Sequence, residues 1–111
     1  MENSSENDWH QHLPCGVLQV RADGWILQAN DFFCEMLGYT LDELVHQRYW
    51  FELLSMGGKI YCETHFIPLL LLQEHVLEVN FDFFSKNRIK IPALVNAKAV
   101  HDSSGSLQYF N

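Results

Sequence analysis

The stretch from Val76 to Phe84 (VLEVNFDFF) alternates apolar and polar side chains: Leu77, Val79, Phe81 and Phe83 fall on one side of an extended chain, Glu78, Asn80 and Asp82 on the other. A strand of this kind has one oily face that other elements must cover. The apolar material available to cover it lies between Asn30 and Gln73, where the punctuation reads as short helices. The chain therefore predicts an α+β domain, a sheet roofed on one side by helices.

The remaining elements fit around that strand. GVLQVR (16–21) and WILQA (25–29) read as strands joined by Ala22, Asp23 and Gly24, an Asp-Gly turn between β-rich runs. Asn30 or Asp31 caps a helix on which Phe33, Met36 and Leu37 recur at helical spacing, and Gly38 stops it. Thr40 and Glu43 form a capping box at the start of a helix expected to reach about Gln47. Residues 49–54 read as a single turn. Gly57 and Gly58 are expected to break the chain before the longest helix, about Lys59 to Gln73. Within it Pro68 removes a donor and clashes near Thr64, so a kink or break is expected around His65 and Phe66. A turn at Ser85 to Asn87 leads into a strand from Ile89 to Val100, where Pro92 demands a bulge or an edge. After His101 a turn, Asp102 to Gly105, precedes a last strand opening at Leu107. That strand is cut short at Asn111, so the natural protein is expected to continue.

With 111 residues the chain is one domain, and eight Phe, three Trp and four Tyr supply enough apolar surface to exclude intrinsic disorder. A formal charge of -7 repels phosphate backbones and anionic lipid surfaces, which argues against nucleic acid as a partner. Cys15, Cys34 and Cys62 are odd in number with no CxxC pair, which fits a reducing cytoplasm. Residues 1–12 read as a polar leader, with a possible helical turn from Trp9 to Leu13; they lack the apolar run of a signal peptide. The longest apolar run, Phe66 to Leu72, is far short of the roughly 20 residues a membrane span needs, so no membrane insertion by this segment is expected.

Catalytic patterns are missing. Gly57-Gly58 lacks the flanks of a nucleotide loop, and Asp42 with Glu43 falls on a solvent face. Glu63 and His65, two apart on a helix, point in different directions and do not make a metal site. Cys34 and Cys62 read as small buried apolar groups.

Taken together, GVLQVRADGWILQAN, then FFCEMLGYTLDELVHQRYWFELL, then GGKIYCETHF and the closing hairpin ending HDSSGSLQYF resemble a PAS domain over nearly everything from residue 13 to residue 111. The pairing DG-x-I-x-x-x-N-x-x-F with LGY-T-x-x-E-L carries that resemblance. The GGKIYCETHF block is similar to a bacterial sensory-box subgroup attached to histidine kinases, serine phosphatases or cyclic-dinucleotide enzymes. The resemblance implies a five-stranded antiparallel sheet in the order 2-1-5-4-3, with short helices and one longer helix on one face. It also implies a sensory, non-catalytic module that reports to a C-terminal output domain.

Flavin photochemistry in light-sensing PAS relatives needs a reactive cysteine where this chain has Gln47, Arg48, Tyr49, Trp50 and Phe51, so a flavin with a reactive cysteine is rejected. His65 falls on the helix where haem-binding relatives carry an axial ligand, but a lone helix histidine more often only hydrogen-bonds, and haem is not the favoured cofactor. Cofactor identity is otherwise open. Phe33, Leu37, Tyr61, Phe66, Leu69, Leu70, Phe81, Phe83, Leu94 and Val95 are the candidate lining of a pocket for a small apolar molecule, with Gly24, Asn30, Asp31 and Gly38 as structural anchors. The competing reading is that these side chains fill one another's space. A ligand sensor and a homodimerisation module working through the segment around Trp9 to Leu13 both stay open.

Overall fold

The structure is a computed structural model that describes residues 15–99 and the backbone of residues 107–110. The leader, the expected turn at Trp9 to Leu13 and the turn at residues 102–105 lie outside the described residues.

Antiparallel strands β1 (Val17–Val20), β2 (Ile26–Ala29), β3 (His75–Phe84), β4 (Lys90–Ala99) and β5 (Leu107–Phe110) form one sheet in the order β2-β1-β5-β4-β3. The β1–β2 turn is closed by Gly24 N–H to the Arg21 carbonyl at 2.8 Å. Asp23 stabilises it further, since its Oδ1 accepts from Arg21 Nε at 2.9 Å and its Oδ2 from Arg21 Nη2 at 2.7 Å.

The helices follow as α1 (Asp31–Leu37), α2 (Leu41–Leu44), a 3-10 turn (Trp50–Leu53), α3 (Met56–Tyr61), a π turn (Cys62–Phe66) and α4 (Ile67–Gln73). Asn30 caps α1 and Gly38, at φ 80°, ends it in the left-handed region that glycine reaches at least cost. Both halves of the expected capping box form at Thr40 and Glu43. That helix is shorter than its pattern predicts: it stops at Leu44, because Val45 is extended and His46 takes φ 57°. The residues beyond are used instead as a clip along β2. His46 N–H donates to the Ile26 carbonyl, Ile26 N–H to the Arg48 carbonyl and Trp50 N–H to the Gly24 carbonyl. The opposite edge is met near the end of β3 by Ser55 N–H on the Asp82 carbonyl at 2.9 Å.

The long helical stretch departs from expectation at its start. Ser55, rather than the glycine pair, marks the boundary: its hydroxyl accepts from Gly58 N–H, and Gly57 and Gly58 sit inside the first turn. The helix then runs through 56–73, absorbing Pro68 by widening into the π turn just before it, where Ile67 N–H reaches back five residues to the Cys62 carbonyl.

Two strand assignments are corrected by one bulge. The register of β3 on β4 passes from Val76↔Ala97 to Val79↔Val95, one residue more on β3 than on β4. Glu78 takes φ 58° there and its N–H donates to Asn96 Oδ1 at 2.8 Å. Val76 therefore joins Val79, Phe81 and Phe83 on the covered side, whereas Leu77 is 65% exposed. Pro92 lies where β4 has β3 as its partner and β5 does not reach, the edge position its ring requires.

Candidate ligand-binding site

The side chains expected to line a chamber meet mostly as a packed core. Phe33, Leu37, Phe66, Leu70, Phe81, Phe83 and Val95 are buried, and Leu69 packs against them from the margin. Their rings close on one another edge to face: Phe33 on Phe83 at 5.9 Å and Phe66 on Phe81 at 5.1 Å between centroids. Trp50, which periodicity did not single out, fills the space between, 5.9 Å from Phe66 and 5.7 Å from Phe81. Tyr61 stands at the rim, 41% exposed, with its ring edge on Phe81. Leu94 is a correction. It is 51% exposed on the uncovered side of the sheet, since neighbours in a strand alternate and Val95 is the one turned inward.

A cleft of about 380 Å³ opens beside this core, between the β1–β2 turn and the long helix. Ala22, Asp23 and Gly24 form one wall, Trp50 and Phe51 the floor, and Lys59, Cys62, Glu63 and Ile67 the other wall. None of the candidate chamber residues lines it. Gly24 makes the close approach possible: at φ 97° it brings the turn so near the floor that a Cβ there would stand 2.8 Å from Phe51 Cε2. Phe51 is held in turn by its stack on Tyr49 at 5.3 Å, and Tyr49 by its edge contact with Trp25 at 4.9 Å. A glycine facing an aromatic pair is the signal that could have located this wall from sequence.

The cleft is apolar at depth and charged at its mouth. Burial, followed by the neighbouring Glu63 charge, pushes the Cys62 thiol up to about 12, so it presents a neutral, weakly reactive surface. Cys34, also buried, is raised to about 11 by burial and then by Asp31 and Glu35. The hydrogen bond from Arg21 holds the Asp23 carboxyl below the usual range. His65 is exposed, its ring stacked on Tyr61 at 5.1 Å and its Nδ1 2.7 Å from the Thr64 hydroxyl, and it does not line the cleft. Among the described residues no group of three or more His, Cys, Asp or Glu is placed to hold a metal ion. No helix there is long and apolar enough to cross a membrane.

Asn30, fully buried, anchors the frame around the site. Its Oδ1 accepts from Val17 N–H at 2.9 Å and Phe33 N–H at 3.0 Å, and its Nδ2 donates to the Cys15 carbonyl at 2.8 Å. Asp31 follows as the acidic residue of the first turn of α1.

A family model described as PAS domain matches residues 14–110. The chain belongs to the PAS domain family. The phosphoserine phosphatase RsbP of Bacillus subtilis (strain 168) is 32% identical over 94 residues, which are 85% of this chain and 23% of the phosphatase. This PAS domain thus spans less than a quarter of that relative. Among solved structures, a domain of a sensory box sensor histidine kinase/response regulator from Geobacter sulfurreducens superposes with a TM-score of 0.80 at 19% identity, covering 98% of this chain and 91% of that one. The PAS domain of a LuxR-family transcriptional regulator from Burkholderia thailandensis, solved in complex with ethanol, gives 0.76 at 14% identity over 96% of this chain and 94% of that one. PAS domains of this kind are sensory modules of signalling proteins, and the sheet order and helical cover are those of the family's fold.

Proposed function

We infer that this PAS domain is the regulatory module of a larger bacterial signalling protein, taking a small, mainly apolar molecule into the cleft between the β1–β2 turn and the long helix. The observation that carries this reading is the pairing of a filled helix–sheet interior with an open cleft of about 380 Å³ floored by Trp50 and Phe51, a size within the range of small-molecule sites. The Burkholderia neighbour, solved in complex with ethanol, supports a small-molecule occupant. Gly24 and Trp50 are joined by a backbone hydrogen bond of 3.0 Å, so an occupant pressing on the floor also loads the turn. From the turn, β1 pairs with β5 from Val20↔Leu107 to Val17↔Phe110, which leads a displacement to the last strand and on to a C-terminal output domain. The name of the relative RsbP favours a phosphatase as that output over a histidine kinase or a cyclic-dinucleotide enzyme; on this reading the PAS domain is itself non-catalytic and works in the cytoplasm.

A titration with 1-hexanol followed by amide NMR tests the reading. Shifts are expected at Gly24, Phe51 and Glu63, and Ile67→Trp, which fills the cleft, abolishes them. Absence of shifts, or shifts unchanged in Ile67→Trp, contradicts it.

A second reading, association of two copies, draws on Leu72, 80% exposed, with Leu71 and Leu77 also in solvent. Sedimentation of the parent chain and Leu72→Lys across concentration tests it: a dimer that weakens in the variant supports association through this end, and a parent chain that is monomeric throughout removes it.

A further inference from the structure

The polar groups at the mouth of the cleft narrow the chemistry of its occupant, on the reading that the cleft binds a ligand. Three charged residues line it: Asp23, Lys59 and Glu63. Asp23 is already engaged by both the Nε and the Nη2 of Arg21. Lys59 and Glu63 remain. They stand four apart on the helical wall, a spacing at which opposite charges commonly pair, though with lysine first the order is the weaker one. No ion pair joins them, and neither has an ion-pair partner among the described residues. One cation and one anion thus face the same opening, beside apolar surface from Trp50, Phe51, Cys62 and Ile67.

We propose that the ligand is a small zwitterion with an apolar body, an apolar α-amino acid being the simplest member of the class. The Lys59 ammonium takes the carboxylate, the Glu63 carboxylate takes the ammonium, and the side chain lies on Trp50 and Phe51. A purely apolar molecule leaves both charges unanswered. A simple carboxylate gains Lys59 but meets Glu63 as a like charge, and a simple amine meets Lys59 in the same way. Both ionic contacts are at a solvated rim, so each is worth about twofold to fivefold in affinity rather than more.

The test is an amide NMR titration of the 111-residue chain with four probes sharing one branched alkyl body: L-leucine, 4-methylpentanoate, 3-methylbutan-1-amine and 4-methylpentan-1-ol. Leucine is expected to shift Gly24, Phe51 and Glu63 with a Kd at least about threefold below that of each of the other three. Lys59→Met is expected to raise the leucine Kd about twofold to fivefold, and Glu63→Gln to do likewise while improving the fit of 4-methylpentanoate. Both positions are exposed, so an unchanged remainder of the spectrum certifies folding. If the alcohol or either single-charge probe binds the cleft as tightly as leucine, or neither variant changes the order of preference, the zwitterion proposal falls while the cleft remains a ligand site. If no probe shifts any cleft resonance, both fall.

Discussion

Asn30 Oδ1 stands 2.9 Å from the backbone nitrogen of Val17, and this bond ties the first residue of β1 to the cap of α1 across the hairpin. The same oxygen also receives Phe33 N–H, so a single carboxamide both starts a helix and pins a strand. Truncation leaves buried donors without a partner. Asn30→Ala is expected to lower stability by about 2–3 kcal/mol in urea denaturation; a loss below about 1 kcal/mol would show that water replaces these bonds.

Gly24 and Gly38 both hold positive φ, but only Gly24 faces an obstacle. A Cβ at Gly38 makes only ordinary van der Waals contact, with Lys86 Cβ at 3.9 Å, whereas at Gly24 it meets the Phe51 ring at 2.8 Å. Gly38→Ala is expected to cost about 1–2 kcal/mol for the left-handed backbone alone. Gly24→Ala should cost more, and the excess should vanish when Phe51→Ala is added. Equal costs at the two glycines would show that the Phe51 ring swings aside freely; thermal denaturation of the four variants decides it.

The buried thiols predict a selective labelling pattern. Cys34 and Cys62 are raised from an ordinary 9.0 to about 11 and about 12, so both stay protonated at neutral pH. Ellman's reagent at pH 8 is expected to modify them only as the chain unfolds, with Cys15 the residue that reacts in the native state. Because the folded values are the higher ones, the stability these thiols contribute is intact below pH 9 and is lost as pH rises toward 11 and 12. Cys34→Ala should flatten that alkaline decline.

Two carboxyls act in the opposite direction. A hydrogen bond from Lys86, then the backbone N–H of Thr40, lowers the value of Glu43, and Arg21 lowers that of Asp23. The folded state therefore holds fewer protons than the unfolded chain across the ordinary carboxylate range. Stability is full above that range and is lost as pH falls through the depressed values. Urea midpoints at pH 7 and pH 3 should differ less in Glu43→Gln than in the parent chain; an identical difference would mean that the contact with Lys86 is not kept in solution.

Much of the architecture is legible in the sequence because local signals and tertiary demands agree. The Asp23-Gly24 turn, the Thr40–Glu43 capping box and the Gly38 stop form where residue chemistry asks for them. Misplacements arise where one local event changes a period: the bulge at Glu78 exchanges the faces of Val76 and Leu77, and the chain after Leu44 exchanges helix for bonds to the edge of β2. The site was less legible for a different reason. Apolar periodicity finds residues that pack, and Phe33, Phe66, Phe81 and Phe83 do pack. A cleft is made where packing fails, here by Ala22, Gly24, Lys59 and Glu63, none of which stands out by hydrophobicity.

In the proposed function the occupant lies beside the core rather than within it. Intermolecular nuclear Overhauser contacts from a bound alkyl probe locate it directly. The expected contacts run to the Trp50 indole, the Phe51 ring and the Ile67 methyl groups, whereas contacts to Phe33, Leu37 and Phe83 would place the ligand inside the helix–sheet interior and contradict the account.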